Sequence, residues 1–344
     1  MNYEKFAENV QADLTKSLYD TFPNVSVETM KVNKLQGQSY SGITINHDES
    51  AVAPSINLEP FFEMYENGEI YEDVLQRITD VVVTSFSHME DFDVDALNNY
   101  EQMKEHLTIQ IVGAERNAER LTTIPHQMME DMAVVYRFNF GEVSGGNASI
   151  VVTNPMMELY GITKEQLHQD ALEAAQKNEP LSIKNMDEIM YEMTGGFVGS
   201  VDDPQSPMWI ATNESRFNGA SAMAYSDFME QATEKLEGSF YILPSSIHEV
   251  IMIPDSFGMK AQELKAMVTS INASEIRPEE KLTDNVYHFD AVARVFEQAE
   301  SFEKRSEKAH SKKSVLDDLG EKKQACMDQE LKVRKQPKKD SPEL

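Results

Sequence analysis

The sequence predicts an α+β fold, in which antiparallel sheets are covered by helices. Two observations predict it. Pairs of short apolar segments separated by turn residues occur at three places in the chain, and each pair favours a β-hairpin. A segment with apolar residues at helical spacing follows each pair. Hairpins produce antiparallel sheets, and a sheet with one apolar face buries that face under helices.

The hairpins and helices suggest three degenerate units, at roughly residues 25–87, 130–178 and 239–273. The helical segments GEIYEDVLQRI, GITKEQLHQDA and GMKAQELKAMV each begin with Gly. Hairpins and amphipathic helices are also common enough to follow one another without an internal repeat. Both explanations predict the same fold class.

An N-terminal helix over residues 3–20 precedes the first unit, with apolar residues at helical spacing: Phe6, Val10, Leu14 and Leu18. The first hairpin consists of the segments VSVETMKV and SGITIN, and the loop APSINLEP leads from it to two helices. The longer helix, EIYEDVLQRITDVVVTSF, repeats an apolar residue every four positions: Ile70, Val74, Ile78 and Val82.

The second unit pairs MAVVYRFNF with SIVVTN across the Gly-rich turn FGEVSGGNA. Asn154 is predicted to cap a short helix that has Pro155 at its first position. Thr163 and Gln166 form a capping box at the start of the next helix.

The third unit pairs SFYIL with IHEVIMIP across the turn PSS, and the helix MKAQELKAMVTSIN follows. Between the second and third units, MWIATN is predicted to be a strand. Residues 219–237 are predicted to form a helix whose first turn contains only small residues.

Three regions are expected along the chain. Residues 1–120 contain the first helix, hairpin and helices, and residues 121–298 contain two further units that continue the same body. Residues 299–344 form a charged tail, predicted to begin as a helix continuing from AVARVFEQAE and to end disordered. Its basic residues are expected to be solvated, since acids are mixed among them.

Charge limits the possible partners. The net charge is −28, and residues 1–300 alone carry 19 basic and 50 acidic residues. Such a body repels phosphates, which argues against direct binding of nucleic acid. The acids indicate either a solubilising surface or a mimic of nucleic acid that occupies a basic groove of another protein.

The remaining composition predicts a cytoplasmic protein that does not enter a membrane. No segment approaches the roughly 20 apolar residues of a membrane helix, and the N-terminus lacks the features of a signal peptide. The single cysteine, Cys326, excludes an internal disulfide and a cysteine-based zinc site. No cofactor fingerprint is found, and no cofactor is expected.

Several segments together resemble an uncharacterised bacterial family, the domain of unknown function catalogued as five-six-eight-eight. These segments are VNKLQG, APSINLEPFFEMYENG, IPHQMMEDMAVVYR, ATNESRFNGASAM, FYILPSSIHEVIMIPD and LTDNVYHFD. The resemblance covers roughly residues 1–295. It implies one fold unit of that length and brings no known reaction.

The segment PSSIHE contains the side chains of a catalytic serine site. Ser246 as nucleophile, with His248 and Glu249, is the catalytic hypothesis, because such a nucleophile needs a base and a group that orients the base. Two residues of a strand that lie two apart have Cβ atoms roughly 7 Å apart, which is too far for a direct hydrogen bond. The favoured interpretation is a turn, after which His248 and Glu249 begin the returning strand.

A hypothesis for the segment NESRFNGASAM is an anion site at a helix start, with Arg216 supplying the charge. Together with PSSIHE it would line a pocket for a small ligand: Arg216, Asn218, Gly219, Ser221, Ser245, Ser246, His248 and Glu249. The favoured interpretation is tight packing, in which Gly219 and its small neighbours permit close approach of a helix to a sheet.

No metal site is predicted. A remote alternative is a cluster of His126, Asp131, His248 and Glu249, which requires the fold to bring IPHQMMED beside PSSIHE.

The 20 methionines are mostly predicted to fill the core, for example Met128 with Met132 and Met190 with Met193. The alternative is an adaptable groove for partner peptides. Because no catalytic motif stands out, the leading functional hypothesis is a non-enzymatic interaction or regulatory protein whose partner is another protein. The alternatives are a small-ligand binder or hydrolase, and an acidic mimic of nucleic acid.

Overall fold

The computed structural model describes residues 1–19, 22, 24–33, 35–37, 39–47, 55–90, 97–143, 146–202 and 205–308. Its helices and three antiparallel sheets confirm the predicted α+β class. The predicted tail beyond residue 308 lies outside the described residues. Within them, no helix has the length and apolar character that a membrane crossing requires.

The first sheet has the order β1–β2–β3. Its elements are α1 (Tyr3–Tyr19), β1 (Val25–Asn33), β2 (Ser39–His47), β3 (Ser55–Asn57), α2 (Glu59–Glu66) and α3 (Tyr71–Glu90). The helices bury their predicted apolar residues against the sheet in a core of its own. Two predictions are wrong here. Ser55–Asn57 is a strand paired with β2 and not part of a loop, and Ile70, which precedes α3, is exposed.

The second sheet has the order β4–β6–β5, and β7 also pairs with β6. Its elements are α4 (Tyr100–Met103), β4 (Leu107–Gly113), α5 (Ala118–Leu121), β5 (His126–Met129), β6 (Met132–Val143), β7 (Gly146–Val151), α6 (Asn154–Tyr160) and α7 (Lys164–Asn178). Thr163 caps α7 as predicted, accepting a hydrogen bond from the Gln166 N–H at 3.2 Å. The cap of α6 is Thr153, so that Asn154 is the first helical residue.

The third sheet has the order β13–β12–β10–β11–β9–β8. Its elements are β8 (Leu181–Asn185), α8 (Met186–Met193), β9 (Trp209–Asn213), α9 (Phe228–Leu236), β10 (Phe240–Leu243), β11 (Val250–Pro254), α10 (Ala261–Ser274), β12 (Tyr287–Asp290) and β13 (Val295–Gln298). A further helix occupies residues 299–308. The second and third sheets share one large core.

Two predicted helices of this region are wrong. Residues 219–237 are not one helix, because a 3₁₀ turn (Gly219–Ala224) and α9 are separated by an extended Tyr225. Val295–Gln298 is not helical, because its backbone pairs with β12 as an edge strand. In both places contacts with neighbouring elements, and not the local sequence pattern, decide the backbone conformation.

A buried amide network joins the first hairpin to the rest of the body. Gln36 has a left-handed backbone with φ 68°, and its N–H donates to Asn117 Oδ1 at 2.7 Å. The Asn117 amide donates to Gln36 Oε1 at 2.9 Å, and the Gln36 amide donates to the Lys281 carbonyl at 3.0 Å. The network therefore connects three segments that are distant in sequence. The domain boundaries predicted at residues 120 and 298 remain predictions.

Candidate functional site

The PSSIHE segment is a buried turn. Ser245 and Ser246 are buried, and the Ser246 hydroxyl accepts a hydrogen bond from the His248 N–H at 3.1 Å. The turn is held against residues 280–282, because Ile247 N–H donates to the Glu280 carbonyl at 2.8 Å and Leu282 N–H donates to the Ser245 carbonyl at 3.0 Å. This is the local bonding by which serines stabilise turns.

The side chains of the proposed triad do not form a relay. His248 Nε2 lies 3.4 Å from Glu280 Oε1, which makes Glu280 and not Glu249 its carboxylate neighbour. Glu249 is exposed, and the strand β11 begins only at Val250, so that His248 and Glu249 precede the strand that they were predicted to begin. Among the described residues, no hydrogen bond joins the Ser246 hydroxyl to the His248 ring.

The two candidate segments contact each other, and the ring centroids of Phe217 and His248 are 6.2 Å apart. Ala220 N–H donates to the Ile247 carbonyl at 3.1 Å, and Thr212 Oγ1 donates to the His248 carbonyl at 2.8 Å. A Cβ on Gly219 would lie 2.3 Å from that same carbonyl. Ser221 is buried and accepts from Ile111 N–H at 3.1 Å. Gly219 and Ser221 therefore pack closely against their neighbours at this junction.

A small polar pocket lies beside this junction. Ser215 and Asn218 line it, together with Arg137 of β6 and Ser149 of β7. Arg216 is exposed and is not among the residues that line the pocket. The segment NESRFNGASAM therefore contributes Ser215 and Asn218 to a pocket whose cation, Arg137, comes from the second sheet. Periodicity had placed MAVVYRFNF in a strand, yet it gave no signal that Arg137 would face a pocket.

The remote metal candidates have other partners. His126 Nδ1 lies 3.1 Å from the Ile124 carbonyl. Asp131 accepts hydrogen bonds from Thr283 and Asn285, both at 2.9 Å, and one from the Tyr287 hydroxyl. Over the described parts of the chain, no three His, Cys, Asp or Glu side chains are grouped so that they could hold a metal ion.

A second feature of the surface is an exposed apolar segment, residues 186–202, here called the Phe197 segment. It begins with α8, beside the edge strand β8. Phe197 is 93% exposed and Met193 76% exposed; Met190, Tyr191, Val198 and Val201 are exposed as well. The prediction that Met190 and Met193 fill the core is wrong, and Met128 is also exposed, whereas Met132 is buried as predicted.

The Phe197 segment has a defined conformation. Asn185 caps α8 by accepting from Asp187 N–H at 2.9 Å, and Asp187 Oδ2 accepts from Ser206 N–H at 2.9 Å. After the helix, Val198 N–H donates to Thr194 Oγ1 at 3.0 Å. A Cβ on Gly199 would lie 2.1 Å from the Asp187 carbonyl, so only glycine allows the loop to pack there. The apolar side chains are therefore exposed on a segment whose backbone is held in place by hydrogen bonds and by close packing at Gly199.

The sequence assigns the family. The chain is an α+β protein that belongs to DUF5688, a family of unknown function, and the match covers residues 3–291. This confirms the resemblance found from the sequence. No curated protein and no solved structure shows a significant match to the chain.

Proposed function

We propose that the protein works by binding another protein, as an interaction or regulatory protein and not as an enzyme, and that the Phe197 segment is the contact surface. The observation that carries the proposal is the exposure of six large apolar side chains within residues 186–202: Met190, Tyr191, Met193, Phe197, Val198 and Val201. Single exposed apolar residues are ordinary on protein surfaces, but a contiguous group of large ones marks an interaction site.

Charge indicates which partner the segment fits. Residues 184–216 contain six Asp/Glu against two basic residues, Lys184 and Arg216, and Lys184 Nζ pairs with Glu192 Oε1 at 2.5 Å. Glu192 and Asp202, which flank Phe197, are exposed. Opposite charges around an apolar contact steer association and select the partner. The partner is therefore a protein segment with apolar side chains flanked by Lys or Arg.

Local structure supports a binding role for these side chains. The glycine turn and the Asp187 hydrogen bonds hold the backbone of the segment, so that little backbone entropy remains to be lost on binding. Met190 and Met193 have flexible, polarisable side chains that adapt to different partner surfaces. The segment thus combines a fixed backbone, one aromatic anchor and adaptable apolar neighbours.

Two synthetic peptides test the proposal. They share one amphipathic apolar pattern, and one carries lysines where the other carries glutamates. Fluorescence anisotropy with the full chain is expected to show saturable binding of the lysine peptide alone. Phe197→Ser should weaken that binding about 10-fold, since an aromatic anchor contributes more than 1 kcal/mol to an interface.

The matched control is Phe257→Ser, because Phe257 is 57% exposed and lies outside the segment. The control should bind the lysine peptide as the wild type does. Equal affinities of the wild type and Phe197→Ser would overturn the proposal. A mimic of nucleic acid predicts that second result, because its binding would depend on charge, would disappear at high salt and would not need Phe197.

A further inference from the structure

Arg137 is a half-buried cation whose described hydrogen bonds all go to neutral acceptors. No Asp or Glu whose side chain the structure describes lies within ion-pair distance of it. Its guanidinium donates to Ser149 Oγ from Nε at 3.2 Å and from Nη2 at 2.5 Å, and from Nη1 to Gln110 Oε1 at 3.3 Å. All of these acceptors are neutral.

Burying the Arg137 guanidinium among neutral acceptors costs free energy. A guanidinium that leaves water loses hydration, and neutral acceptors restore only part of it. Burial lowers the pKa of Arg137 from its ordinary value. Three hydrogen bonds use three of its five N–H donors, which leaves two for a further acceptor. Both Arg137 and Ser149 line the polar pocket.

The pocket is built from both large sheets. Arg137, Asn139 and Ser149 come from the second sheet, and Ser215 and Asn218 come from the loop that follows β9. Asn218 has a left-handed backbone with φ 50°, and its Oδ1 accepts from the Gln110 amide at 3.4 Å. Gln110 therefore bonds to Arg137 and to the loop, and it couples the two sides of the pocket.

Size limits the ligand. The pocket has a volume of about 20 Å³, which is room for one or two water molecules, since one water needs about 10–15 Å³. This enclosed space takes a small polar group at the end of a ligand and not the body of a ligand. The two oxygens of a carboxylate would replace such waters and would meet the planar donor pattern of a guanidinium.

We propose that this pocket binds the carboxylate of a small organic acid, with Arg137 as the anion-binding residue and Ser215 and Asn218 at its rim. The site is separate from the Phe197 segment, and the inference does not depend on the proposed function.

Glu179 sets the charge that the pocket accepts. It also lines the pocket, and its Oε2 accepts from Ser215 N–H at 3.1 Å. A fixed negative charge beside the site repels anions, and more strongly those that carry two charges. We therefore expect a monocarboxylate to bind in preference to a dicarboxylate.

Acetate is the probe for the test. The amide resonances of Ser215 and Asn218 are followed by NMR in the full chain while acetate replaces chloride at constant ionic strength. Wild type is expected to show saturable shifts with a dissociation constant on the order of 10 mM, as suits a ligand of few atoms. Malonate should bind more weakly than acetate.

Three variants decide the outcome. Arg137→Lys keeps the charge but loses the planar donors, and it should weaken acetate binding about 10-fold. Glu179→Gln keeps the acceptor for Ser215 and removes the repulsion, so it should tighten binding roughly 3-fold; this gain does not arise from misfolding. Arg216→Lys, the exposed control, should bind as the wild type does. Absence of saturation in the wild type, or unchanged affinity in both Arg137→Lys and Glu179→Gln, would overturn the proposal.

Discussion

The hydroxyl of Ser246 accepts a hydrogen bond from the backbone N–H of His248, and the distance is 3.1 Å. The serine is therefore bonded to the main chain of the histidine and not to its ring. Two residues that could belong to a nucleophile and its base are used instead to close a turn between β10 and β11.

Ser246→Ala should consequently destabilise the protein. The substitution leaves the His248 N–H without its acceptor in a buried turn, which costs about 1–2 kcal/mol in the free energy of unfolding. Chemical denaturation measures the loss. Glu249→Ala is the matched control, because Glu249 is exposed and its removal should stay within about 0.5 kcal/mol. A wild-type stability of Ser246→Ala would instead show that the hydroxyl serves something other than the turn.

Gly219→Ala should be among the most damaging single substitutions. Its Cβ would lie 1.9 Å from Thr212 Oγ1 and 2.3 Å from the His248 carbonyl. The backbone carbonyl belongs to the PSSIHE turn and has little freedom to move, so we expect a loss of about 3 kcal/mol or more. Gly161→Ala is the control for steric overlap. Gly161 has φ +64° and nothing lies within 4 Å of a Cβ there, so this variant should suffer backbone strain alone, at a cost of about 1 kcal/mol. Similar melting temperatures for the two variants would contradict this account.

Asn117→Ala should loosen the connection between the first hairpin and the body. It removes the acceptor of the Gln36 N–H and one donor to Gln36 Oε1. Because these groups are buried, the expected loss is about 2–3 kcal/mol in the free energy of unfolding. Asn178→Ala provides the comparison, since its amide makes one exposed bond to the Glu105 carbonyl and should cost less than about 0.5 kcal/mol. Equal stabilities would show that water replaces the network.

Acid should destabilise the protein through His288. The residue is 1% exposed, and its ring stacks on Phe302 of the C-terminal helix with centroids 3.5 Å apart. Burial lowers the pKa of His288, and the nearby Asp255, whose Oδ2 lies 3.5 Å from Nε2, opposes this lowering without reversing it. The unfolded chain then binds a proton more readily than the folded one.

The pKa values of His288 in the unfolded and folded chain set the pH range of this effect. Stability from this group is complete above the unfolded pKa of about 6.5 and is lost as the pH falls from there toward the lower folded pKa, at no more than about 1.4 kcal/mol per pH unit. His288→Phe keeps an aromatic stack on Phe302 but does not titrate. Unfolding curves between about pH 8 and pH 5 should show a shallower decline for the variant. Identical slopes would exclude His288 as a source of the acid sensitivity.

Hairpins and helices were predictable wherever their signals are local. Val74, Ile78 and Val82 repeat at helical spacing and are fully buried, and Thr163 carries its own capping chemistry. Strands were missed where the pattern carried no such signal. Val295–Gln298 was predicted to be helical, and its pairing with β12 makes it a strand.

Candidate site residues were predicted less well, because a site depends on which segments meet. The segment NESRFNGASAM was predicted to form an anion site with Arg216 as its cation, and this stays a prediction. Ser215 and Asn218 of the segment line a pocket, whereas Arg216 is exposed and does not line it. Arg137, the cation that lines the pocket, lies almost 80 positions before Arg216 in the chain. Met190 and Met193 have the spacing of a buried helix face, but no element among the described residues covers them.

The sequence by itself determined the α+β class, the family, the acidic charge and the local hairpins, helices and turns, because periodicity, capping and turn chemistry act between residues that are close in the chain. Tertiary structure alone decided the order of the six-stranded sheet, the exposure of Phe197 and the position of Arg137 beside Ser215. These depend on which surfaces cover each other, and that choice is made by packing among residues far apart in the chain, which no local pattern records.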